Sequence, residues 1–392
     1  MRRLYIICTL FAIFLIIGCK EKKNTQLTPW GTPMEQENDS AKTDFRLDDI
    51  INNGELIMLT LTGPENYYDY HGHGMGLQYM LCEKFCQTIG VSLRVEVCRD
   101  TTEIIAKLKK GEGDVAAVSL PKTISNVLFC GVYDNLKKTS WAVEKGNKDL
   151  ADTLNHWFKP NLISQLKKQE EWLLSSRSII RHVYSPMLNR SAGIISPYDH
   201  LFQEYAPVAH WDWRLMAAQC YQESTFDSKA HSWAGACGLM QILPSTADRL
   251  GLPKGQIYEP EANITAAAKY ISQLDSKFND VPSRLDRIYY ILASYNGGYN
   301  HIRDAMALTK KHGHNPYIWE EVEPFVLKLR EAQYYNDPIV KNGYMRGNET
   351  VDYVQRIKAR WNDYRNVSGG GGSGAFGSMT PKRATNKYRF HI

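Results

Sequence analysis

The spacing of apolar residues changes once along the chain, and this change constrains the fold more than any other feature of the sequence. Between Leu56 and Leu120, β-type apolar runs alternate with helical segments, in the order LIMLTL, 76–89, SLRVEV, 102–109 and DVAAVSL. This β-α-β-α-β order predicts a parallel sheet with covering helices. From Pro197 onward, apolar residues recur at helical spacing over 199–205, 212–223, 244–250, 261–278, 284–295, 299–311 and 348–362. The sequence therefore predicts an α/β N-terminal module followed by a mainly α domain.

The N-terminal segment has the pattern of an export signal. Two arginines precede an apolar run from Leu4 to Ile17, which ends at Gly18 and Cys19. This pattern predicts a signal peptide over residues 1–19, and its end resembles the lipobox of bacterial lipoproteins. The resemblance implies lipidation of Cys19 and anchoring in a membrane, which we expect to be the outer membrane with the protein facing the periplasm. A short transmembrane anchor is the alternative, although the run is shorter than the roughly 20 residues that span a bilayer.

Length and composition define the remaining organisation. A chain of 392 residues predicts two or three domains, and 43% apolar residues suffice for packed cores. A net charge of +5 is too small to indicate a nucleic-acid partner, and the sequence does not determine the oligomeric state. The predicted segments are a flexible tether at 20–44, the α/β module at 45–160, a linker with one amphipathic segment at 161–196, the α domain at 197–365 and a disordered, basic, Gly/Ser-rich tail at 366–392.

The cysteines leave two interpretations open. In an exported protein they can form disulfides, or they can be buried thiols. Two histidines, His71 and His73, precede Cys82 and Cys86, but no CxxC pair occurs and the histidines lie in a glycine-rich loop. Because this is a weak metal signal, we predict no metal and no cofactor. The cysteines in question are Cys82, Cys86, Cys98, Cys130, Cys220 and Cys237.

The α/β module resembles the first lobe of a periplasmic solute-binding protein. The similarity lies in a strand followed by an aromatic loop, and in a Gly-Asp-hydrophobic strand that closes the unit. A strand at 141–143 and a helix at 148–157 resemble the return of such a chain to its first lobe. Only 18 residues separate Leu120 from Thr139, where a second lobe would be inserted. We therefore predict a shortened lobe and assign no ligand contacts to it.

Glu223 is the strongest candidate for a catalytic acid. It follows Met216 by seven residues on the predicted helix 212–223, which places it about 20° from Met216 at the edge of the apolar face. Burial and the negative end of the helix dipole both disfavour ionisation, so the pKa of Glu223 is expected to be raised. A surface glutamate that ends an ordinary helix is the alternative for this residue considered alone.

Three later motifs favour the catalytic interpretation of Glu223 over a surface glutamate. GLMQI follows at 238–242, ASYNGG at 293–298 and ETVDYV at 349–354. Together with Glu223 and Ser224, their order and spacing resemble the motifs of the soluble-type lytic transglycosylase domain, a relative of goose-type lysozyme. Combined with the lipobox and the solute-binding-like module, the chain resembles membrane-bound lytic murein transglycosylases. The resemblance implies a lysozyme-like fold for residues 197–365 and peptidoglycan glycan strands as the partner.

The motif residues have chemical properties suited to a sugar polymer. A glycine at 238 allows a chain to approach the backbone, and glutamine offers a paired donor and acceptor. Methionine offers an adaptable surface to a sugar face, with a place in the apolar core as the alternative. The family implies a serine near the N-acetyl group. The two tyrosines are expected to point their phenols at the carboxyl, with buried tyrosines that satisfy their own hydroxyls as the alternative, and the asparagine is expected to fix a turn. The predicted site comprises Glu223 as the catalytic residue and Ser232, Met240, Gln241, Tyr295, Asn296 and Tyr353 as substrate-binding residues.

The predicted chemistry uses one carboxyl group. Asp227 is the nearest second carboxylate in sequence and is expected to be a structural turn residue. Glu223 would protonate the oxygen between N-acetylmuramic acid and N-acetylglucosamine, then accept the proton of the muramic C6 hydroxyl as that oxygen attacks C1. The product would be a 1,6-anhydro end. The alternatives are a lysozyme-like murein hydrolase and a non-catalytic wall-binding or sensing lipoprotein.

Overall fold

The computed structural model describes residues 47–366, except for 135, 137, 176, 177, 180–188 and 190–192. The predicted signal peptide with Cys19, the tether at 20–44 and nearly all of the tail at 366–392 lie outside the described residues. Within the described ranges, no helix combines the length and the apolar character needed to cross a membrane.

The first part of the described chain is an α/β module built on a five-stranded sheet. The elements are α1 Leu47–Asn53, β1 Glu55–Leu61, β2 Tyr68–Tyr70, β3 His73–Met75, α2 Leu77–Ile89, β4 Ser92–Cys98, α3 Thr101–Lys110, β5 Val115–Pro121, β6 Val127–Asp134, β7 Thr139–Glu144, α4 Lys148–Trp157 and α5 Asn161–Leu173. The strands lie in the order β4-β1-β5-β7-β6, with β4, β1 and β5 parallel and β7 antiparallel to both of its neighbours. Two short strands, β2 and β3, form a separate hairpin.

The chain between Leu120 and Thr139 forms a strand where a second lobe would be inserted. Strand β6 pairs antiparallel with β7, so this segment returns directly to the sheet. The β6 strand and the β2–β3 hairpin were not predicted, because neither has an uninterrupted period-two pattern of useful length. The predicted linker contains α5, whose Leu166 is buried in the core of the α/β module.

Burial of apolar and paired polar groups holds the module together. Trp141 of β7 is 1% exposed, and its indole Nε1 donates a hydrogen bond of 2.6 Å to the buried Gln78 side chain of α2. A buried indole needs such an acceptor, because an unpaired N–H away from water is destabilising. This contact fixes α2 against strand β7 of the sheet.

The second part of the chain is mainly α, as predicted, and has its own apolar core. The helices are α6 Asp199–Tyr205, α7 Trp213–Ser224, α8 Pro244–Leu250, α9 Pro260–Lys277, α10 Arg284–Gly297, α11 Tyr299–Lys311, α12 Trp319–Lys328, α13 Ala332–Tyr335 and α14 Gly347–Asn366. Helix α7 begins after Asp212, whose side chain accepts the Arg214 N–H as an N-cap. Helices α12 and α13 were not predicted.

The aromatic loop after β1 joins the module to the helical domain. The Thr62 hydroxyl accepts the backbone N–H of Tyr344 at 3.1 Å. The rings of Tyr68 and Tyr344 meet edge to face with centroids 4.9 Å apart. These contacts place the β2–β3 hairpin beside the start of α14.

Helix α14 can begin where it does only because its first residue has no side chain. A Cβ added at Gly347 would overlap the backbone carbonyl of Val326 at the end of α12. We predict that Gly347→Ala lowers the free energy of unfolding by about 1–3 kcal/mol or more, since backbone must move to relieve the overlap. Denaturant titration measures this change. Gly255→Ala is the matched control, because nothing lies within 4 Å of its added Cβ, and equal effects of the two substitutions would contradict the packing argument.

Candidate active site

A cleft with a volume of about 400 Å³ contains most of the predicted site residues. It lies where α7, α10 and α14 meet the loop 232–243. Of the predicted residues, the structure brings together Glu223, Ser232, Gln241, Tyr295, Asn296 and Tyr353 along its walls.

Glu223 lies on the last turn of α7 and is half-buried. The helix ends there because Thr225 and Phe226 adopt left-handed backbone angles, with φ of 55° and 64°. On its buried face, Met216 and Cys220 are 0% exposed. The carboxyl group therefore emerges between the apolar core and the cleft, as its helical position predicts.

Tyr353 forms a hydrogen bond that orients the carboxyl. Its phenol donates a hydrogen bond of 2.5 Å to Oε1 of Glu223 and accepts one of 3.1 Å from Nε2 of Gln219. Burial, followed by the charge of Glu223, raises the pKa of Tyr353 well above its usual value. The phenol therefore stays protonated and remains a donor.

The second predicted phenol does not point at the carboxyl. Tyr295 donates instead to the backbone carbonyl of Met240, at 2.7 Å. Burial and the charge of Glu223 also raise the pKa of Tyr295 well above its usual value. Tyr295 thus lines the cleft and fixes the GLMQI segment. The prediction that both tyrosines bind the carboxyl is correct only for Tyr353.

The GLMQI segment serves the site through its backbone more than the sequence indicates. Met240 is 0% exposed in the apolar core and does not line the cleft, so its predicted contact with a sugar face is wrong for this structure. Gly238 has φ of 79°, and a Cβ there would lie 2.5 Å from Nδ2 of Asn263. The absence of a side chain at position 238 is therefore needed for packing against Asn263, and not for the approach of a glycan.

Gln241 and Ser232 line the cleft and also stabilise its loops. Nε2 of Gln241 donates to the carbonyls of Ala230 and Gly238, at 3.1 and 3.0 Å. The Ser232 hydroxyl accepts the backbone N–H of Ala236 at 3.1 Å. These bonds keep both side chains in position at the cleft wall.

Asn296 links two helices instead of fixing only the turn that follows it. Its Oδ1 accepts a hydrogen bond of 2.7 Å from the hydroxyl of Thr350 on α14. The adjacent Gly297 leaves room for Thr350 and Met345. Motifs at 293–298 and 349–354 are thus held together directly, although the sequence separates them widely.

The structure also places carboxylates in the cleft that the sequence did not single out. Asp227 is buried away from the cleft walls and accepts the N–H of Lys229, a turn contact consistent with its predicted role. Glu349 and Asp352 do line the cleft. Glu349 accepts hydrogen bonds from the Tyr70 hydroxyl at 2.7 Å and from Nε of Arg346 at 3.1 Å. Its charge is therefore compensated.

Tyr70, His71 and Trp233 are cleft residues that sequence reasoning missed. Tyr70 and His71 belong to the α/β module, and no local pattern indicates that this module reaches the cleft.

The weak metal pattern does not form a metal centre among the residues that the structure describes. No group of three or more His, Cys, Asp or Glu side chains there is arranged to hold an ion. The side chains of Cys82 and Cys86 are buried on α2, and Nε2 of His73 lies 2.9 Å from the carbonyl of Ala234. All six cysteines considered above are free thiols, and only Cys237 is not fully buried.

Comparison with known proteins identifies the helical part. The Transglycosylase SLT domain family matches residues 200–318. A curated relative, membrane-bound lytic murein transglycosylase F of Desulfosudis oleivorans, is 28% identical over 69% of this chain, which spans only 61% of the relative's length. The protein of the same name from Citrobacter koseri is 27% identical over 81% of both chains.

A solved structure, the arginine-bound form of domain 1 from TmArgBP, is 20% identical to this chain. It covers 30% of this chain and 98% of its own, with a TM-score of 0.26. Residues 200–318 therefore match the Transglycosylase SLT domain family, and over most of its length the chain is similar to membrane-bound lytic murein transglycosylase F.

Proposed function

We propose that this protein is a peptidoglycan lytic transglycosylase. It cleaves the β-1,4 bond between N-acetylmuramic acid and N-acetylglucosamine and leaves 1,6-anhydro ends, without a metal or cofactor. The observation that carries the proposal is the Glu223 carboxyl, which lies half-buried at a helix end in a cleft and is oriented by the Tyr353 phenol. The SLT domain and the name of the curated relatives support the same activity.

The geometry suits a proton that leaves and returns. Protonated Glu223 donates to the bridging oxygen as the bond to C1 breaks, and becomes a carboxylate. Tyr353 then stabilises that charge, because its hydrogen bond is stronger to the ionised form. The same carboxylate accepts the proton of the muramic C6 hydroxyl as that oxygen closes on C1. No water enters the balance, so one carboxyl group is sufficient.

The remaining cleft residues are proposed to hold the glycan. Ser232, Gln241, Tyr295 and Asn296 offer hydroxyl and amide groups along the walls, which suit sugar hydroxyls and acetamido groups. Met240 is retained only through its backbone carbonyl, which positions Tyr295. Glu349 is paired with Arg346 and Tyr70, which makes it a poor base for activating water in a hydrolase.

We infer that the protein is attached to the outer membrane by lipid on Cys19 and faces the periplasm. The lipobox-like end of the apolar N-terminal run supports this inference, as does the word membrane-bound in the relatives' name. Cys19→Ala should move the protein from the membrane fraction to the soluble fraction and abolish labelling by a fatty-acid probe. Cys237→Ala is the matched control for loss of a thiol. Labelling that persists in the Cys19 variant would contradict the anchor.

The first catalytic prediction concerns Glu223→Gln. The amide cannot donate and accept the proton, so turnover of purified sacculi should fall by about 100- to 10,000-fold. Mass spectrometry of the digest reads the products. The wild type should yield anhydro ends, which are lighter than hydrolysed reducing ends by one water, roughly 18 Da.

Glu204→Gln, an exposed glutamate on α6, is the matched control and should retain activity. Reducing ends from the wild-type protein would instead support a murein hydrolase. Intact sacculi after wild-type digestion would support a non-catalytic wall-binding protein.

The second catalytic prediction concerns Tyr353→Phe. This change keeps the ring but removes the donor to Glu223, so kcat should fall by about 10- to 100-fold, the usual size of a hydrogen bond to a charged group. KM should change little, because the lost bond acts on the acid and not on the glycan. Steady-state kinetics on glycan strands measures both constants. Tyr364→Phe on the same helix is the control, and full activity of the Tyr353 variant would refute this role.

A further inference from the structure

The β2–β3 hairpin of the α/β module forms part of the wall of the cleft in the helical domain. Tyr70 and His71 line the cleft that contains Glu223. The same two residues, with Asp69 and Gly72, also line an adjoining cavity of about 860 Å³. Since the two cavities share Tyr295 as well, the hairpin tip borders two neighbouring cavities beside the site.

Three contacts fix this hairpin to two separate segments of the helical domain. The Tyr70 hydroxyl donates to Glu349 on α14, at 2.7 Å. The Tyr70 ring lies parallel to Trp233, with an interplanar angle of 4° and centroids 5.8 Å apart. Nε2 of His73 lies 2.9 Å from the carbonyl of Ala234. The hairpin therefore bridges loop 232–236 and the start of α14. These two segments both line the cleft, although they are far apart in sequence.

The hairpin turn has a conformation that would suit glycine, yet it carries an imidazole at its tip. His71 has φ of 52° and Gly72 has φ of 80°, a left-handed pair of the kind found in tight hairpin turns. Asp69 Oδ1 accepts the N–H of Gly72 at 3.0 Å and stabilises the turn. Non-glycine residues that are held in this region by their surroundings occur frequently at functional sites.

The chemistry of His71 fits a neutral polar ligand. Burial lowers the pKa of His71 below its usual value, so the ring is uncharged at neutral pH. A neutral imidazole offers one donor and one acceptor. That pair complements a sugar hydroxyl or an acetamido group.

We propose that His71 is a glycan-binding residue and that the β2–β3 hairpin of the α/β module completes the saccharide path of the helical domain. The identity of the saccharide rests on the function proposed above. The contact itself rests on the position of the hairpin, its three anchoring contacts and the imidazole at its tip.

Replacement of His71 by glycine separates a binding role from a structural one. In the full chain, His71→Gly removes the imidazole and relieves the left-handed backbone, so thermal stability should be kept or raised. KM for glycan strands should rise by about 2- to 10-fold, the size of one neutral hydrogen bond, while kcat stays within about twofold. Asparagine at position 71 tolerates the same φ and keeps a donor and an acceptor. The KM of His71→Asn should therefore lie between the KM of the wild type and that of His71→Gly.

His156→Ala is the matched control, because His156 is exposed on α4 of the same module and lies outside both cavities. An unchanged KM in His71→Gly would overturn the proposal. A rise in kcat would also overturn it, since the hairpin would then obstruct the cleft instead of binding glycan.

A binding measurement keeps this test independent of the proposed reaction. Affinity for isolated glycan strands is compared between Glu223→Gln and the double variant with His71→Gly. Weaker binding by the double variant supports the glycan contact whatever product the wild type forms. Equal binding overturns the contact, even where the wild type yields anhydro ends.

Discussion

The hydrogen bond between Tyr353 and Glu223 is the contact on which the site depends. It joins α7, which ends beside Glu223, to α14, which is far along the chain, and it requires accurate placement of α14. That placement follows from packing. Gly347 lets α14 start against the carbonyl of Val326, and Thr350 bonds to Asn296 on α10.

Helix α14 connects the acid with the α/β module through one of its faces. Glu349 and Tyr353 are four residues apart, so they lie one above the other on the helix. The first accepts a hydrogen bond from Tyr70 of the hairpin, and the second donates one to Glu223. The Arg346 guanidinium, 5.6 Å from the centre of the Tyr70 ring, adds a further contact. The module and the Glu223 carboxyl are thus separated by about one helical turn.

The α/β module makes contacts suited to this arrangement. Its sheet is completed by β6, and its aromatic loop packs on the segment around Tyr344. Residues of the aromatic loop after β1 are thus used for contact with the helical domain. This gives the module a place in the architecture of the cleft.

The amino-acid sequence by itself determined the two fold classes, most helix limits and the position of Glu223, because periodicity, caps and turn residues act over a few residues. The N-cap at Asp212 is of this kind. Only the tertiary structure decided that Met240 is core, that Tyr295 bonds to a backbone carbonyl, and that Tyr70 and His71 reach the cleft. Those outcomes depend on contacts between residues far apart in the chain, where burial and hydrogen-bond partners are set by packing that no local pattern encodes.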